Sequence, residues 1–209
     1  VRITIPDSVI LTLDSAHLFT CPDSFKVWKG IELVSSGLSS GRIIVKNNSF
    51  IEDAEIAINA VNPFTPATGN IIDIHSAIFN RNLIGVNIAN YNALVPSGVY
   101  PFTFTDAVFT SRQLRTVGSG YPHIWKTASF LKDSVENNIF APYYIDKHYD
   151  KILAKNGKTI EAGIKLTNVS NFVSGKYYGT WIGDADFSNA NLFDNTSTGI
   201  LANKSSLEC

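Results

Sequence analysis

The sequence predicts an all-β fold made of stacked repeats, and three observations support that prediction. The segments at 41–62 and 69–90 align with similar residues at equivalent positions when one is shifted by 28 positions. A short pattern of small residue, apolar, variable, apolar recurs five times along the chain. Charged residues are only 17% of the chain, and apolar β-formers occur together with many Asn, Ser and Thr residues. A fixed period of this kind indicates units that each pack on their neighbours.

The two matching segments read "GRIIVKNNSFIEDAEIAINAVN" and "GNIIDIHSAIFNRNLIGVNIAN". The shift of 28 pairs Gly41 with Gly69, Ile43 with Ile71, Phe50 with Ile78, Ile56 with Ile84, Ile58 with Val86 and Asn62 with Asn90. The same shift aligns Asp53 with Arg81. A later piece, "NLFDNTSTGILAN", matches the second half of both segments and places Leu192 on Ile78.

The recurring four-residue pattern has the alternation of a strand with one buried face. Its copies begin at Gly30, Ala57, Gly85, Gly163 and Gly199. We therefore predict one interior column made of Ile58, Val86, Ile164 and Ile200. Five residues after the small residue comes a turn former, which is Ser35, Asn62, Asn90 or Asn168 in the first four copies. The fifth copy has Lys204 there instead.

A second inward position lies seven residues before the small residue, at Phe50, Ile78 and Leu192. Val108 has the same surroundings, but Gly163 follows it by 55 positions, so about 48 residues are inserted. This predicts a single domain over 1–209 with an insertion at about 112–160 in the fourth coil. In the first coil Leu18 takes the equivalent place and precedes Gly30 by 12, which indicates a smaller insertion.

A repeat of about 28 residues with short strands cannot bury its apolar face alone, but stacked copies can. Each strand would then pair in parallel with its equivalents about 4.8 Å above and below. Asn at the corners accepts the left-handed dihedral angles of a tight bend and can bond to the Asn of the next coil. These features predict a parallel β-helix of about five coils. A β-sandwich or a jelly roll is the alternative.

The stretch "VWKGIELVSSG" followed by "GRIIVKNNSFIEDAEIAI" resembles right-handed parallel β-helix segments of large secreted and surface proteins of Bacteroidota-type bacteria. The matching residues are 28–31, 51–54 and 57–58. The resemblance implies a right-handed β-solenoid, a secreted or cell-surface location, export by a type 9 secretion route and an adhesin-like role. It says little about activity, because one fold hosts many functions.

The chain begins at Val1, contains no Met, and stops at "ANKSSLEC" where a further strand is due. A solenoid needs its ends covered, because open strand edges promote aggregation. We therefore expect the chain to be covalently part of a larger protein, or something else to cover its last coil.

Composition excludes several classes of partner. The net charge of −1 provides no excess of positive charge with which to bind nucleic acid. No run of about 18 apolar residues is present, so no membrane insertion is expected. The two cysteines, Cys21 and Cys209, imply neither a disulfide framework nor a metal site. No cofactor is expected.

The chemistry of the sequence does not point to catalysis. The acidic pairs Glu52/Asp53, Asp146/Asp150 and Asp184/Asp186 are interpreted as solvated turn charges, and "GDADFSNAN" lacks the spacing of a calcium loop. The four histidines, His17, His75, His123 and His148, are interpreted as surface or packing residues. We identify no catalytic and no metal-binding residue.

The insertion is the predicted place of ligand binding, since excursions from a rigid scaffold often carry function and aromatic faces stack on sugar rings. The candidate ligand-binding residues are Tyr121, Trp125, Tyr143, Tyr144, His148 and Tyr149. The alternative is that these aromatic side chains form the insertion's own small core.

Two functions therefore remain. The favoured one is a non-catalytic structural or adhesive β-helix segment of a secreted or cell-surface bacterial protein, with glycans or other surface proteins as partners. The alternative is a polysaccharide-binding or polysaccharide-degrading, pectate-lyase-like module that uses the aromatic insertion. Two carboxylates among Asp146, Asp150 and Glu161 within about 5–10 Å of each other in a cleft would favour the alternative.

Overall fold

The computed structural model describes residues 1–20, 27–35, 40–61, 71–91, 101–110, 158, 160–169, 172–173, 191–193, 196–205 and 207–208. Every regular element within these ranges is a β-strand, as the sequence predicts. The strands are β1 (Arg2–Ile5), β2 (Ile10–Asp14), β3 (His17–Leu18), β4 (Gly30–Leu33), β5 (Arg42–Lys46), β6 (Ser49–Glu52), β7 (Ile56–Val61), β8 (Ile72–Asn80), β9 (Ile84–Tyr91), β10 (Phe102–Thr110), β11 (Ala162–Val169), β12 (Phe172–Val173), β13 (Leu192–Phe193), β14 (Thr198–Asn203) and β15 (Leu207–Glu208).

The first sheet joins the five copies of the four-residue pattern. Its order is β1-β4-β7-β9-β11-β14, and all neighbours are parallel. Ile58 pairs with Val86, Val86 with Ile164, and Ile164 with Ile200, so the predicted column is confirmed. The side chains of Ile58, Val86 and Ile164 are 0% exposed, whereas Ile200 is partly buried at the last strand.

This sheet has one strand more than the five copies predict. The additional strand is β1, whose Ile3 pairs with Ile31 of β4 and so extends the apolar column. Sequence comparison misses β1 because Arg2 stands in the register position of Gly30, where the pattern requires a small residue. Arg2 fits there because it lies on the outermost described strand, exposed and hydrogen-bonded to Glu32.

The second sheet has the order β13-β10-β8-β5-β2, with β6 paired to both β3 and β8. The long strand β8 pairs with two shorter strands of the preceding repeat, β5 and β6. Phe50 pairs with Ile78, Ile78 with Val108, and Val108 with Leu192. The prediction that Val108 is a member of this column is therefore confirmed.

The structure corrects two alignments. Ile43 pairs with Ile72, not with Ile71, because the corner before β6 contains one residue more than the corner inside β8. That corner uses two left-handed residues, Asn47 and Asn48, whereas β8 turns at one. In addition, His17 and not Leu18 pairs with Phe50. Leu18 is the residue that the sequence predicts for this inward position, because it is hydrophobic. In the structure His17 occupies the position, and the centroid of its ring lies 5.2 Å from that of the Phe50 ring.

Two glycines of the pattern, Gly85 and Gly163, are required by an aromatic stack in the interior. The rings of Phe79, Phe109 and Phe193 lie nearly parallel, with centroids 4.8 and 5.0 Å apart. A Cβ atom on Gly85 would lie 2.7 Å from the Phe109 ring, and one on Gly163 would lie 2.6 Å from the Phe193 ring. Glycine at these positions therefore lets the strands of the first sheet approach the stack.

The corner position is left-handed in the last three copies of the pattern, whereas Ser35 in the first copy does not have a positive φ. Asn90, Asn168 and Lys204 have φ angles of 63°, 57° and 50°. The side-chain amide of Asn168 donates to Oδ1 of Asn90 at 3.4 Å, which confirms the expected bond between Asn residues of successive repeats. Ser35 and Asn62 are predicted at the same corner; Ser35 is described and partly buried, and Asn62 lies outside the described residues.

Candidate functional site

A cluster of buried polar side chains lies where β6 and β8 end, and we call it the polar corner. It consists of Glu52, Asp53, Asn80, Arg81 and His17. Glu52 is 4% exposed, and Asp53 and Asn80 are 0% exposed. The interpretation of Glu52 and Asp53 as solvated turn charges is therefore wrong. They are buried because charged and amide groups of the neighbouring repeats neutralise and bond them, a pairing that no single repeat reveals.

Local structure brings these residues together. Glu52 and Asn80 are register partners in β6 and β8. The next residue in each repeat, Asp53 and Arg81, has a φ angle of 59° and 55° respectively, which turns the chain toward the first sheet. The sequence alignment of Asp53 with Arg81 thus corresponds to two stacked corner residues. His17 reaches the cluster from β3, which pairs with β6.

The carboxylate of Glu52 is bonded on both oxygens. Nε2 of His17 lies 2.7 Å from Oε2, and Nδ2 of Asn80 donates to Oε1 at 2.7 Å. Nη2 of Arg81 lies 3.4 Å from the same Oε1. Three repeats therefore converge on this one carboxylate.

The carboxylate of Asp53 is bonded in the same way. Nε of Arg81 donates to Oδ1 at 2.9 Å, and Nη2 donates to Oδ2 at 3.3 Å, so the guanidinium makes two bonds. The hydroxyl of Thr20 donates to Oδ2 at 3.2 Å. Arg81 thus bridges the two acidic residues.

The electrostatics of the polar corner favour a permanent carboxylate over a proton donor. Burial by itself would raise the pKa of Glu52, but the hydrogen bond from His17, the charge of Arg81 and the amide of Asn80 together hold that pKa below its usual value. A general acid needs the opposite shift, toward the working pH. The surroundings of Glu52 therefore favour its charged carboxylate form and not a proton-donating form.

Further side chains fasten the main chain around the polar corner. The amide of Asn82, itself 3% exposed, donates to Ile51 O and accepts from Ala54 N, both at 2.8 Å. The indole Nε1 of Trp28 donates to Glu52 O at 2.6 Å. Sequence reasoning missed both roles. Asn82 stands between Arg81 and Leu83, and its equivalent in the preceding repeat is Ala54, so the repeat itself gave no signal.

A second polar group lies on the outward side of β8 and β10. His75 is exposed, and its two ring nitrogens lie 2.6 Å from Asp73 Oδ1 and 2.5 Å from Thr105 Oγ1. Thr103 also donates to Asp73. The surface interpretation of His75 is therefore confirmed. Within the described ranges, no group of three or more His, Cys, Asp or Glu side chains could hold a metal ion.

Most of the sequence-predicted functional residues lie outside the described residues. This holds for Tyr121, Trp125, Tyr143, Tyr144, His148 and Tyr149, for His123, for Asp146, Asp150, Asp184 and Asp186, and for Cys21 and Cys209. Of the carboxylates named for a sugar cleft, Glu161 is described. Its side chain is 48% exposed and forms an ion pair with Lys165 at 2.7 Å, so it is a surface residue directly before β11.

Comparison with protein-family models, with curated proteins and with solved structures finds no match. In the described part of the chain, no helix has the length and apolar character needed to cross a membrane. The functional argument therefore depends on the residues themselves.

Proposed function

We propose that this chain is a non-catalytic structural or adhesive segment of a secreted or cell-surface bacterial protein, built as a right-handed parallel β-helix. The observation that carries the proposal is the polar corner. Its two buried carboxylates are bonded to the preceding and following repeats on all four oxygens, and the pKa of Glu52 is lowered. Such groups stabilise a stack of coils and have no free oxygen to offer a substrate.

The parallel register supports the same proposal. The equivalent strands of successive repeats pair in one continuous sheet from β1 to β14, with an apolar column beneath it. A long, regular stack of this kind serves as a rigid spacer or a display surface. The secreted or surface location rests on the sequence resemblance.

The alternative of a polysaccharide-binding or polysaccharide-degrading module rests on the aromatic residues of 112–160 alone. One experiment tests both proposals: a glycan array, followed by a product assay on any glycan bound. It uses the intact chain and a variant in which a short Gly/Ser linker replaces residues 112–160, with the fold of both checked by circular dichroism.

We expect no release of reducing ends or unsaturated products from any glycan. Binding by the intact chain alone would make the segment adhesive and assign the contact to the insertion. Product formation by the intact chain would overturn the non-catalytic proposal. The location is tested separately, by protease treatment of intact source cells, after which a surface protein is cleaved and an internal one is not.

A further inference from the structure

Three buried polar atoms within the described ranges have no hydrogen-bond partner, and they belong to one part of the stack. They are Oγ of Ser40, Nε of Arg42 and the hydroxyl oxygen of Tyr91. Tyr91 ends β9 in the first sheet, and Ser40 and Arg42 stand at the start of β5 in the second. Buried polar groups are normally bonded, as they are in the polar corner, so these three need a separate explanation.

The side chains of Ser40 and Arg42 point to the same side of the chain. Both residues are partly buried, whereas Gly41 between them is buried. A Cβ atom on Gly41 would lie 2.5 Å from Ile5 O, so the intervening position faces the end of β1. Side chains two positions apart along an extended chain share one side, and their positions are about 6.6 Å apart. The Ser40 hydroxyl and the Arg42 guanidinium therefore face the same region.

Tyr91 reaches this region from a later repeat. Its side chain is 3% exposed, and its ring packs edge-on against that of Phe102 at 5.1 Å. Burial raises the pKa of the Tyr91 phenol, and the nearby Ser40 hydroxyl partly offsets that rise. The two hydroxyl groups are thus neighbours, although they do not align well enough to bond each other. Since the pKa is raised, the Tyr91 hydroxyl keeps its proton and can donate it in a hydrogen bond.

The guanidinium of Arg42 carries a charge that no described residue neutralises. Arg42 forms no ion pair within the described part of the chain, and Asp73 of the neighbouring strand β8 is already bonded to two other side chains. The stretches of sequence that lead from the first sheet to the second in these repeats, 36–39, 62–70 and 92–100, contain no Asp or Glu. A guanidinium stays charged at any working pH, and burying it without a negative partner is costly. An added anion would compensate this charge.

The three groups together form a set of hydrogen-bond donors. The guanidinium can only donate, and each hydroxyl has a proton to donate. Donors of this kind around one cation match an oxyanion, and a tetrahedral one presents oxygens in several directions at once.

We propose that Ser40, Arg42 and Tyr91 bind one tetrahedral oxyanion, sulfate or phosphate, either free or carried on a sugar chain. This binding goes beyond the scaffold function, and it depends on these three residues and not on residues 112–160.

Equilibrium dialysis of the chain against radiolabelled sulfate, at an ionic strength held constant with sodium chloride, tests the proposal. We expect one saturable site per chain. Arg42→Gln should weaken binding at least tenfold, because it removes the charge, and Tyr91→Phe should weaken it about fivefold, because it removes one donor. Lys46→Gln is the matched control, since Lys46 lies on the same side of β5 and pairs with Asp14 at 3.3 Å; its affinity should be unchanged.

The absence of a saturable site would overturn the proposal. Binding that Arg42→Gln and Tyr91→Phe leave unchanged would overturn it as well, since the sulfate would then lie elsewhere. Circular dichroism of each variant checks that it is folded.

Arg42→Met provides a test that does not depend on affinity. In chloride buffer the substitution removes an uncompensated charge, so the urea midpoint should stay the same or rise. Arg81→Met removes a charge that has partners, and it should lower the midpoint. A fall in Arg42→Met comparable to that in Arg81→Met would mean that Arg42 has a partner within the chain, and would overturn the proposal.

Competition in the same dialysis identifies the source of the anion. A sulfated disaccharide and its desulfated counterpart are added separately to the labelled sulfate. Displacement by the sulfated sugar at a lower concentration than by unlabelled sulfate would assign the site to an anion carried on a sugar chain. Displacement only at an equal or higher concentration would assign it to the free anion. Equal displacement by the desulfated sugar would overturn the proposal, because the site would then recognise the sugar and not the anion.

Discussion

The apolar interior and the polar corner are both buried and both stack equivalent positions of the repeat, yet they are built differently. The apolar column repeats the same chemistry, with Ile58, Val86 and Ile164 in successive strands. The polar corner places unlike residues at equivalent positions, such as Asp53 beside Arg81. An apolar side chain is stabilised by any neighbour of suitable volume, whereas a buried charge needs one particular partner.

This difference has energetic consequences. Removing a side chain from the apolar interior costs its burial and leaves a cavity. Removing one partner from the polar corner leaves a buried charge without compensation. Neighbouring side chains can partly fill a cavity, but their movement does not compensate a buried charge. The following changes test that comparison, from the largest expected effect to the smallest.

Phe109→Ala should have the largest effect, because Phe109 is 1% exposed and stacks between Phe79 and Phe193. We expect a loss of about 3–5 kcal/mol in the free energy of unfolding, measured by urea titration. Phe19→Ala, at a ring that is 53% exposed, is the matched control and should cost about 1 kcal/mol or less. Equal losses in the two variants would contradict the assignment of the stack to the interior.

Arg81→Met should lower the free energy of unfolding by about 3 kcal/mol, since it removes one partner of a buried ion pair. This is the lower end of the usual range, because the Arg81 side chain is still 20% exposed. Lys165→Met removes the exposed pair with Glu161 and should cost less than about 1 kcal/mol.

A double variant sharpens the same comparison. Combining Arg81→Met with Asp53→Asn removes both charges, so it should recover part of the stability lost in Arg81→Met. Simple addition of two losses would indicate that Asp53 and Arg81 act independently and would contradict the ion pair. Urea titration of all four proteins measures the coupling.

The pH dependence of stability should contain a contribution from Glu52. Its folded-state pKa is lowered below the ordinary 4.5, so the unfolded state binds more protons in this range. The stabilisation is therefore fully present above about pH 4.5 and is lost as the pH falls through the folded-state pKa.

Urea titrations from neutral pH down to about pH 3 measure that loss. Glu52→Gln should flatten the curve, whereas Glu55→Gln, at an exposed carboxylate that pairs with Lys29, should leave most of it in place. An identical acid slope in wild type and Glu52→Gln would show that the carboxylate is not held by its partners.

Asn168 offers the smallest effect and separates two roles of a corner residue. Asn168→Ala should cost about 1–2 kcal/mol, because alanine tolerates the left-handed φ of 57° poorly. Asn168→Gly should be nearly neutral, since glycine adopts this conformation readily. If glycine costs as much as alanine in thermal unfolding, the amide bond to Asn90 is the contribution that matters.

The parts of the fold that the sequence predicted share one physical origin. The register of Ile58 with Val86 and the place of Val108 follow from apolar residues that recur at a fixed spacing. The Asn residues at the corners follow from their tolerance of left-handed dihedral angles. These properties belong to single residues and their neighbours in the chain, so a sequence can carry them.

The polar corner could not be predicted in the same way. The alignment paired Asp53 with Arg81, but nothing in either repeat says that the pair is buried. The bond between His17 and Glu52 joins residues 35 positions apart and depends on an additional corner residue at Asn47–Asn48, which shifts the register by one. The aromatic residues of the insertion remain a sequence prediction.

The sequence by itself therefore determined the strands of the recurring pattern, their inward faces and most of their register, because hydrophobic periodicity and turn preference are local. Only the tertiary structure decided which polar groups are buried. The pKa of Glu52 and the burial of Asp53 depend on which groups of the neighbouring repeats lie within hydrogen-bond distance. The sequence of a single repeat does not specify those groups.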